Sequence, residues 1–403
     1  MSAAPRLLWV NHFAIPPGEG GGTRHFEIGR ELAGRGWEVT VAASDMNLHT
    51  RRYSRRADGG DRTAIGETIE GVRFLWLWAA PYERNDWRRA VNWLSFGREL
   101  LARDVPRADV VIGSSPHLFA ALAAERLAAR WGVPFLFEVR DLWPESLAAA
   151  GKGKSLGYRG LDAIARHLYR RASRIIVLAR GTGEYLEGKG IPAGKLAYVP
   201  NGVDLNAFGG GERPVREGLT LVYAGAHGPF NGLDTVLGAA ELLRGRAGIR
   251  FLLVGDGPSK PELVASARAR GLGNVEFRDP VAKVRMPGLL AEADAGLMVL
   301  REAELFSFGV SPNKLFDYLG AALPVVCNVP GEVAGMLAAS GAGVQTADAS
   351  AAALADAIVR MEGAGPAARR AMGARGREWV GTEHGRDVLG SKLDTLLRRE
   401  IAR

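Results

Sequence analysis

Short apolar runs alternate with longer amphipathic runs from one end of this chain to the other, and the series starts over halfway along. This alternation constrains the fold most, because parallel strands need a connection of helical length between them. In the first half, strands are predicted at Leu7–Asn11, Glu38–Ala42, Val72–Leu77, Val110–Gly113, Phe135–Val139 and Arg174–Leu178. Helical patterns fall between them near Thr23–Gly34, Trp87–Arg103, Leu118–Trp131, Gly157–Arg171 and Gly181–Gly190. The second series places strands at Thr220–Ala224, Arg250–Val254, Val275–Arg278, Ala295–Val299 and Val325–Asn328, with helices near Leu233–Leu243, Lys260–Gly271 and Asn313–Leu319. Val199-Pro200-Asn201-Gly202-Val203-Asp204 separates the two series, and Pro followed by Asn-Gly is turn chemistry. The expected fold is α/β, with two Rossmann-like parallel-sheet domains, 1–200 and 201–380, facing across a cleft at their carboxyl strand ends. The last stretch, Asp387–Ile401, reads as a helix with apolar positions at Val388, Leu389, Leu393, Leu396 and Leu397. With no strand after it, the segment 381–403 is expected to pack outside and reach back to the first domain.

Composition narrows the partners. The lone cysteine, Cys327, excludes an internal disulfide and any cysteine-cluster metal site, and fits a reduced, cytoplasmic compartment. The N-terminal apolar run is broken by Pro5 and Arg6, so no secretory signal is read there, and no apolar stretch is long enough to span a bilayer. Residues 1–200 carry 29 Lys+Arg against 21 Asp+Glu, while 201–403 carry 23 of each, so the whole +8 excess lies in the first half. Such an excess either coats solvated faces or attracts an anionic partner, whether a phospholipid surface or a phosphate-bearing acceptor. Nucleic acid is disfavoured because no recognition motif accompanies the charge.

Four stretches carry candidate chemistry. The first is Gly18-Glu19-Gly20-Gly21-Gly22-Thr23-Arg24 after the first strand. It fails the G-x-G-x-x-G dinucleotide fingerprint, which disfavours a nicotinamide-dependent oxidoreductase. Its glycines still let a ligand approach the backbone, and Gly22 and Thr23 are candidate contacts at a helix start. The second is Glu138-Val139-Arg140-Asp141-Leu142-Trp143-Pro144-Glu145, where an apolar strand ends in charge. Arg140 and Asp141 either hold substrate there or pair with each other. The third is Gly225-Ala226-His227-Gly228-Pro229-Phe230-Asn231-Gly232, a strand-to-helix loop suited to a diphosphate. His227 is a candidate hydrogen-bond donor in it, beside Gly225 and Asn231. The fourth and strongest is Phe308-Gly309-Val310-Ser311-Pro312-Asn313-Lys314-Leu315-Phe316-Asp317. Pro312 near a helix start lacks an amide that would go unpaired there, the amides around Gly309–Asn313 favour negative charge, and Lys314 adds a formal one of opposite sign. Asp317, one helical turn on, can accept two hydrogen bonds from a ribose diol. Gly255 and Val281 are further candidate contacts in this half.

Taken together these stretches resemble the GT4-type retaining glycosyltransferases of GT-B fold. The landmarks are Gly20–Arg24, Pro200-Asn201-Gly202-Val203-Asp204, Val254-Gly255-Asp256-Gly257-Pro258, and Asp317 with Ala321-Ala322-Leu323-Pro324-Val325-Val326. Arg140-Asp141-Leu142-Trp143-Pro144 and Ser311-Pro312-Asn313-Lys314 are similar to the branch that builds bacterial O-antigen and capsule sugars. The resemblance implies transfer of a sugar, with retention, from a nucleotide sugar (UDP-linked by expectation) to a polysaccharide or polyprenyl-linked acceptor. The leaving diphosphate would take the acceptor proton, so the protein's part is positioning and charge stabilisation. No cofactor is expected, and without a D-x-D triplet no metal is required. The chain departs from the family at Ala226 and Asn231, where Arg and Lys are usual, and at Arg140, where His is usual. The first of the family's paired glutamates falls near Gly309, and the second is Asp317.

Two rival readings remain at this level. A GT-B-shaped nucleotide-sugar epimerase would gather acid and base groups such as His12, Arg140, Asp141 and Glu145. A non-catalytic binding protein would keep the fold alone. Trp87, Arg88, Arg89, Trp93, Phe96 and Arg98 mix aromatics and cations on one helix, which suits either the inner face of a membrane or core packing. The five arginines of Arg51–Arg62 either extend that face or lie in a disordered loop.

Overall fold

The computed structural model describes residues 3–19, 22–48, 50–84, 86–145, 155–209, 216–302 and 309–403. It divides into two compact units, one of Met1–Pro200 with Arg386–Arg403 and one of Asn201–Gly385.

The first unit is built on eight strands: β1 (Arg6–Val10), β2 (Glu38–Ser44), β3 (Ile65–Ile69), β4 (Val72–Leu77), β5 (Val110–Ser114), β6 (Phe135–Val139), β7 (Arg174–Val177) and β8 (Leu196–Tyr198). Their order is β3-β4-β2-β1-β5-β6-β7-β8. Every pairing is parallel except β3 with β4, which the alternation pattern did not anticipate. This hairpin turns through Glu70 and Gly71, whose φ angles are 44° and 83°. Positive φ at both central residues matches the right-handed twist of the paired strands. The helices are α1 (Arg24–Gly34), α2 (Trp87–Ala102), α3 (Leu118–Trp131), α4 (Leu156–Arg171) and α5 (Arg180–Gly188).

The second unit has six parallel strands, β9 (Leu219–Ala224), β10 (Ile249–Val254), β11 (Val275–Arg278), β12 (Ala295–Met298), β13 (Val325–Cys327) and β14 (Gly343–Gln345), ordered β11-β10-β9-β12-β13-β14. Its helices are α6 (Leu233–Leu242), α7 (Lys260–Ala269), α8 (Met286–Ala291), α9 (Asn313–Gly320), α10 (Glu332–Ser340), α11 (Ala351–Gly363) and α12 (Gly365–His384).

The last helix, α13 (Arg386–Ile401), belongs to the first unit. Leu389, Leu393 and Leu397 recur every turn and enter the core formed by Leu7, Trp9, Ile28 and Val41. The approach to α1 is close at Gly390, where a Cβ would lie 2.6 Å from the Glu31 Cβ. Trp37 Nε1 fixes the register by donating to Asp394 Oδ1 at 2.6 Å.

In each sheet the strand order reverses once, between β1 and β5 and between β9 and β12. Open α/β sheets bind ligands beyond the carboxyl ends of their strands at that reversal. The loops that follow β1, β5, β9 and β12 are therefore the places to look.

Candidate functional site

In the second unit the loops after β9 and β10 are laced together by backbone. Gly225 N donates to Val254 O at 3.0 Å, His227 N to Asp256 O at 2.8 Å and Ser259 N to His227 O at 3.0 Å. Gly255, at φ 147°, lies so close that a Cβ would sit 1.9 Å from Gly225 O. A side chain there is excluded both by contact and by backbone conformation. Gly255→Ala is accordingly expected to lower the unfolding temperature, read by thermal denaturation.

Helix α9 brings a cation to these loops. Pro312 is its N-cap residue and Asn313 its first turn, as the sequence suggests. Tyr318 Oη accepts the Ala224 N–H at 2.9 Å, pinning the helix to the end of β9. One turn earlier, Lys314 Nζ donates to Tyr223 Oη at 2.8 Å and stands 4.1 Å from the centroid of that ring. Tyr223 Oη in turn donates to Ala226 O at 2.8 Å. A Cβ on Gly225 would touch Lys314 Cε at 3.3 Å, so glycine makes room for the lysine stem. Among the described residues Lys314 has no carboxylate partner, and burial lowers its pKa to about 7.

His227 is fully buried, with neither ring nitrogen hydrogen-bonded among the described residues. Burial lowers its pKa to about 4, with Lys260 and Lys314 adding to the effect, so the ring is neutral. Gly225, His227, Gly255 and Lys314 thus form one constellation. The other expected contacts are engaged elsewhere. Asn231 Oδ1 accepts Gly228 N within its own turn at 3.1 Å. Ser311 is held by Asn201, whose N–H donates to Ser311 Oγ at 3.0 Å and whose Nδ2 donates to Ser311 O at 2.7 Å. Asn313 is exposed, Gly309 (φ 89°) and Val310 are partly buried before α9, and Val281 packs against the core beside Met286 and Leu300. Phe308 lies outside the described residues.

Asp317 does not pair with Lys314 across its turn. Both its carboxylate oxygens are 2.6 Å from Nζ of Lys283, a residue absent from the sequence reading. Lys283 sits in an irregular stretch after β11 with no motif to single it out.

In the first unit, Arg140 and Gly22 come together, since a Cβ on Gly22 would meet Arg140 Nη2 at 3.6 Å. Ser115 Oγ accepts both the Arg140 N–H (2.8 Å) and the Asp141 N–H (3.2 Å), which fixes the chain at the end of β6. The Arg140 Nε is buried without a hydrogen-bond partner among the described residues. Asp141 is exposed as a residue, yet protein atoms crowd its carboxyl and raise its pKa, with Arg140 pulling the other way. Thr23 is the N-cap residue of α1, and its hydroxyl donates to Glu27. Gly20 and Gly21 lie outside the described residues.

Beneath this edge is a charge cluster that the motifs did not reveal. Arg24 Nε donates to Glu138 Oε1 at 2.9 Å, and its Nη2 to Val199 O at 2.7 Å. Its Nη1 donates to Pro200 O. Ser114 Oγ donates to Glu138 Oε2 at 2.6 Å, and His25 Nε2 lies 3.2 Å from the same oxygen. Burial would push the Glu138 carboxyl up, but Arg24, His25 and Arg140 together hold it well below the ordinary range.

Two groups of the epimerase reading, His12 and Glu145, are engaged with neighbours of their own. His12 packs against Phe13, Phe96 and His117, and burial takes its pKa well below normal. Glu145 Oε1 accepts Tyr185 Oη at 2.9 Å. Among the described residues no group of three or more His, Cys, Asp or Glu could hold a metal ion, and no helix is long and apolar enough to cross a membrane.

Comparison with known proteins gives this geometry a setting. Residues 19–202 match the model of the glycosyl transferase 4-like domain, and 218–362 that of glycosyl transferases group 1. The chain is similar to the putative colanic acid biosynthesis glycosyl transferase WcaI of Escherichia coli, 28% identical over 235 residues, covering 55% of this chain and 57% of the relative. The chain spans about half the length of the curated relatives it matches. Among solved structures, sucrose-phosphate synthase of Thermosynechococcus elongatus superposes with a TM-score of 0.78 at 18% identity, covering 99% of each chain. HepE of Anabaena, solved with UDP and glucose, gives 0.68 at 13% identity, covering 97% of this chain and 99% of its own. These two likenesses carry the GT-B fold.

Proposed function

We propose, because the chain belongs to the glycosyltransferases that join a 4-like domain to a group 1 domain, that it transfers a sugar from a nucleotide-sugar donor to a glycan acceptor. The donor diphosphate is assigned to the constellation of Gly225, His227, Gly255 and Lys314, and the ribose to Asp317. The observation that carries this reading is Lys314, a recessed ammonium with a hydroxyl and an aromatic face for company but, among the described residues, no carboxylate. A cation kept so costs stability unless an anion joins it. UDP is the first nucleotide to try, since HepE was solved with UDP and glucose.

The acceptor is taken to be a surface-polysaccharide or polyprenyl-linked glycan, approached from the edge that holds Gly22, Arg140 and Asp141. Transfer is proposed to retain anomeric configuration without a resident cofactor or metal. Arg140 then stabilises charge, and Asp141, whose raised pKa suits proton transfer, is the base should one take part. An anionic membrane face is the proposed partner of α2. Trp87, Val91 and Leu94 recur on one exposed face of that helix, beside the exposed Arg88, whereas Phe96 turns into the core and Trp93 stacks on His117. The arginines of 51–62 contribute less to such a face than their number suggests. Arg56 is buried on Asp45, Arg55 lies 3.8 Å over Trp76, and Arg62 lies 4.1 Å over Trp78. Cytoplasmic location follows from this reading.

The test is calorimetric titration of UDP and GDP, without added metal, into the wild type, Lys314→Ala and Asp317→Ala. One nucleotide is expected to bind, with its affinity reduced about 10- to 100-fold in either variant, the worth of a charge-assisted hydrogen bond. Absence of binding by both nucleotides, or wild-type affinity in both variants, overturns the assignment.

A further inference from the structure

We infer that Arg140 reads an oxyanion on the acceptor, a carboxylate or a phosphate ester carried by the sugar that is to be extended. This rests on the acceptor reading above and adds to it the chemical class of the group recognised.

The sequence leaves open whether Arg140 and Asp141 pair with each other. In the structure they form no ion pair, and the attraction between them acts at longer range. Among the described residues the Arg140 guanidinium makes no hydrogen bond, and its Nε is already shut off from water. The other recessed arginines of this unit are placed differently. Arg24, Arg56 and Arg386 are buried, and each lies on a carboxylate, that of Glu138, Asp45 and Glu27 respectively. Glu138, two residues before Arg140, is fully committed: Oε1 accepts from Arg24, and Oε2 accepts from Ser114 with His25 beside it. The residues of the first unit outside the described ranges include no Asp or Glu.

The surroundings favour an anion. Arg140 stands against Gly22, where a Cβ would come within 3.6 Å of Nη2, and Gly22 leads directly into the eleven-residue helix α1. Thr23 makes no side-chain capping bond to the first turn of that helix, so its leading amides add partial positive charge near the guanidinium. Glu27, the acid of that turn, is engaged by Arg386 and the Thr23 hydroxyl. The excess of positive charge in residues 1–200 acts in the same direction over a longer range.

The donor inventory decides what the residue can hold. A guanidinium presents five N–H donors in a planar fork that matches two oxygens of a carboxylate or phosphate. A neutral sugar hydroxyl meets one of these donors and leaves the charge unanswered. A recessed cation without a counter-ion costs stability, and an arriving oxyanion relieves that cost. The imidazole usual at this position in the family offers at most two donors and is largely neutral near pH 7. Arginine there therefore narrows the acceptor toward anionic sugars.

The experiment titrates methyl β-D-glucoside, methyl β-D-glucuronide and α-D-glucose 1-phosphate into the wild-type chain, Arg140→Leu, Arg140→Lys and Lys314→Ala. The wild type is expected to bind at least one anionic probe about tenfold or more tighter than the neutral glucoside. Preference for the glucuronide identifies an acidic sugar as the source of the anion, and preference for the phosphate identifies the anomeric phosphate of a carrier-linked sugar. Arg140→Leu should erase the preference, and Arg140→Lys, a point charge without the fork, should keep part of it. Thermal unfolding supplies a second readout: Arg140→Leu strands no partner and should melt no lower than the wild type, whereas loss of a purely structural arginine lowers the transition. If the leucine variant does not fold, Arg140→Gln gives the same binding comparison. No preference in the wild type, or a preference that survives in Arg140→Leu, overturns the inference. A preference lost in Lys314→Ala but kept in Arg140→Leu places the anion in the donor site, which overturns the inference while leaving the donor assignment standing. Absence of binding by all three probes overturns the acceptor reading as well.

Discussion

Nucleotide affinity is expected to fall about tenfold for each pH unit between about pH 7 and about pH 9, and Lys314→Met to remove that dependence. The reason is the state of Lys314 before ligand arrives. Burial holds its pKa at about 7, so the amine of the unliganded protein loses its proton near neutrality. A diphosphate beside it favours the charged form and moves the pKa back toward the ordinary value near 10.4. Binding then takes up one proton across that interval, and affinity declines by one decade per unit as protons become scarce. Calorimetry in buffers of different ionisation heat measures the uptake directly. A flat profile in the wild type would show that the phosphates do not meet Lys314.

The same shift makes a statement about stability. The folded pKa lies below that of the unfolded chain, so the folded state disfavours the charged amine. Its cost is fully present below pH 7 and is relieved as pH rises from about 7 toward about 10.4. Lys314→Met should therefore raise the unfolding temperature of the unliganded protein at neutral pH while weakening nucleotide binding about 10- to 100-fold. A gain in stability joined to a loss of binding is the signature of a residue kept for its ligand.

The second large effect lies in the first unit. Glu138→Ala is expected to destabilise that unit by about 3–5 kcal/mol, because it strands Arg24 in the interior. Glu138 is 0% exposed and Arg24 2%, and the pair also organises His25, Ser114 and the carbonyls of Val199 and Pro200. Denaturant unfolding followed by tryptophan fluorescence reads it well, since every tryptophan except Trp379 lies in the first unit. The double variant Arg24→Met/Glu138→Leu removes both charges and should recover most of the loss. Failure of that recovery would mean that the network's shape, not its charge balance, sets the stability. The folded carboxyl has a pKa below its unfolded value, so its contribution is complete above about pH 4.3 and is lost as pH falls below that.

Much of the fold was legible because strands and helices write their periods locally. Val72–Leu77, Phe135–Val139, Val275–Arg278 and Leu118–Trp131 form as the apolar patterns indicate. The misses have physical causes. β3 reads Ile-Gly-Glu-Thr-Ile, an edge strand too short and polar to stand out. β14 has three residues, and α12 is so rich in Ala, Gly and Arg that little hydrophobic contrast marks a buried face.

The sequence by itself determined the α/β class, the two series of strands, and the loops where glycines let backbones meet, since each follows from the conformations that consecutive residues allow. Gly225 was readable as a candidate on that ground, and Gly255 through the landmark it shares with the family. Only tertiary structure decided which charges meet. It sent Asp317 to Lys283 rather than to Lys314 one turn away, and left Lys314 to Tyr223. It also joined Arg24 to Glu138 across 114 residues. A polar group's partner and its loss of water depend on packing between distant elements. Both change the charge states on which binding rests, and neither leaves a local period in the chain.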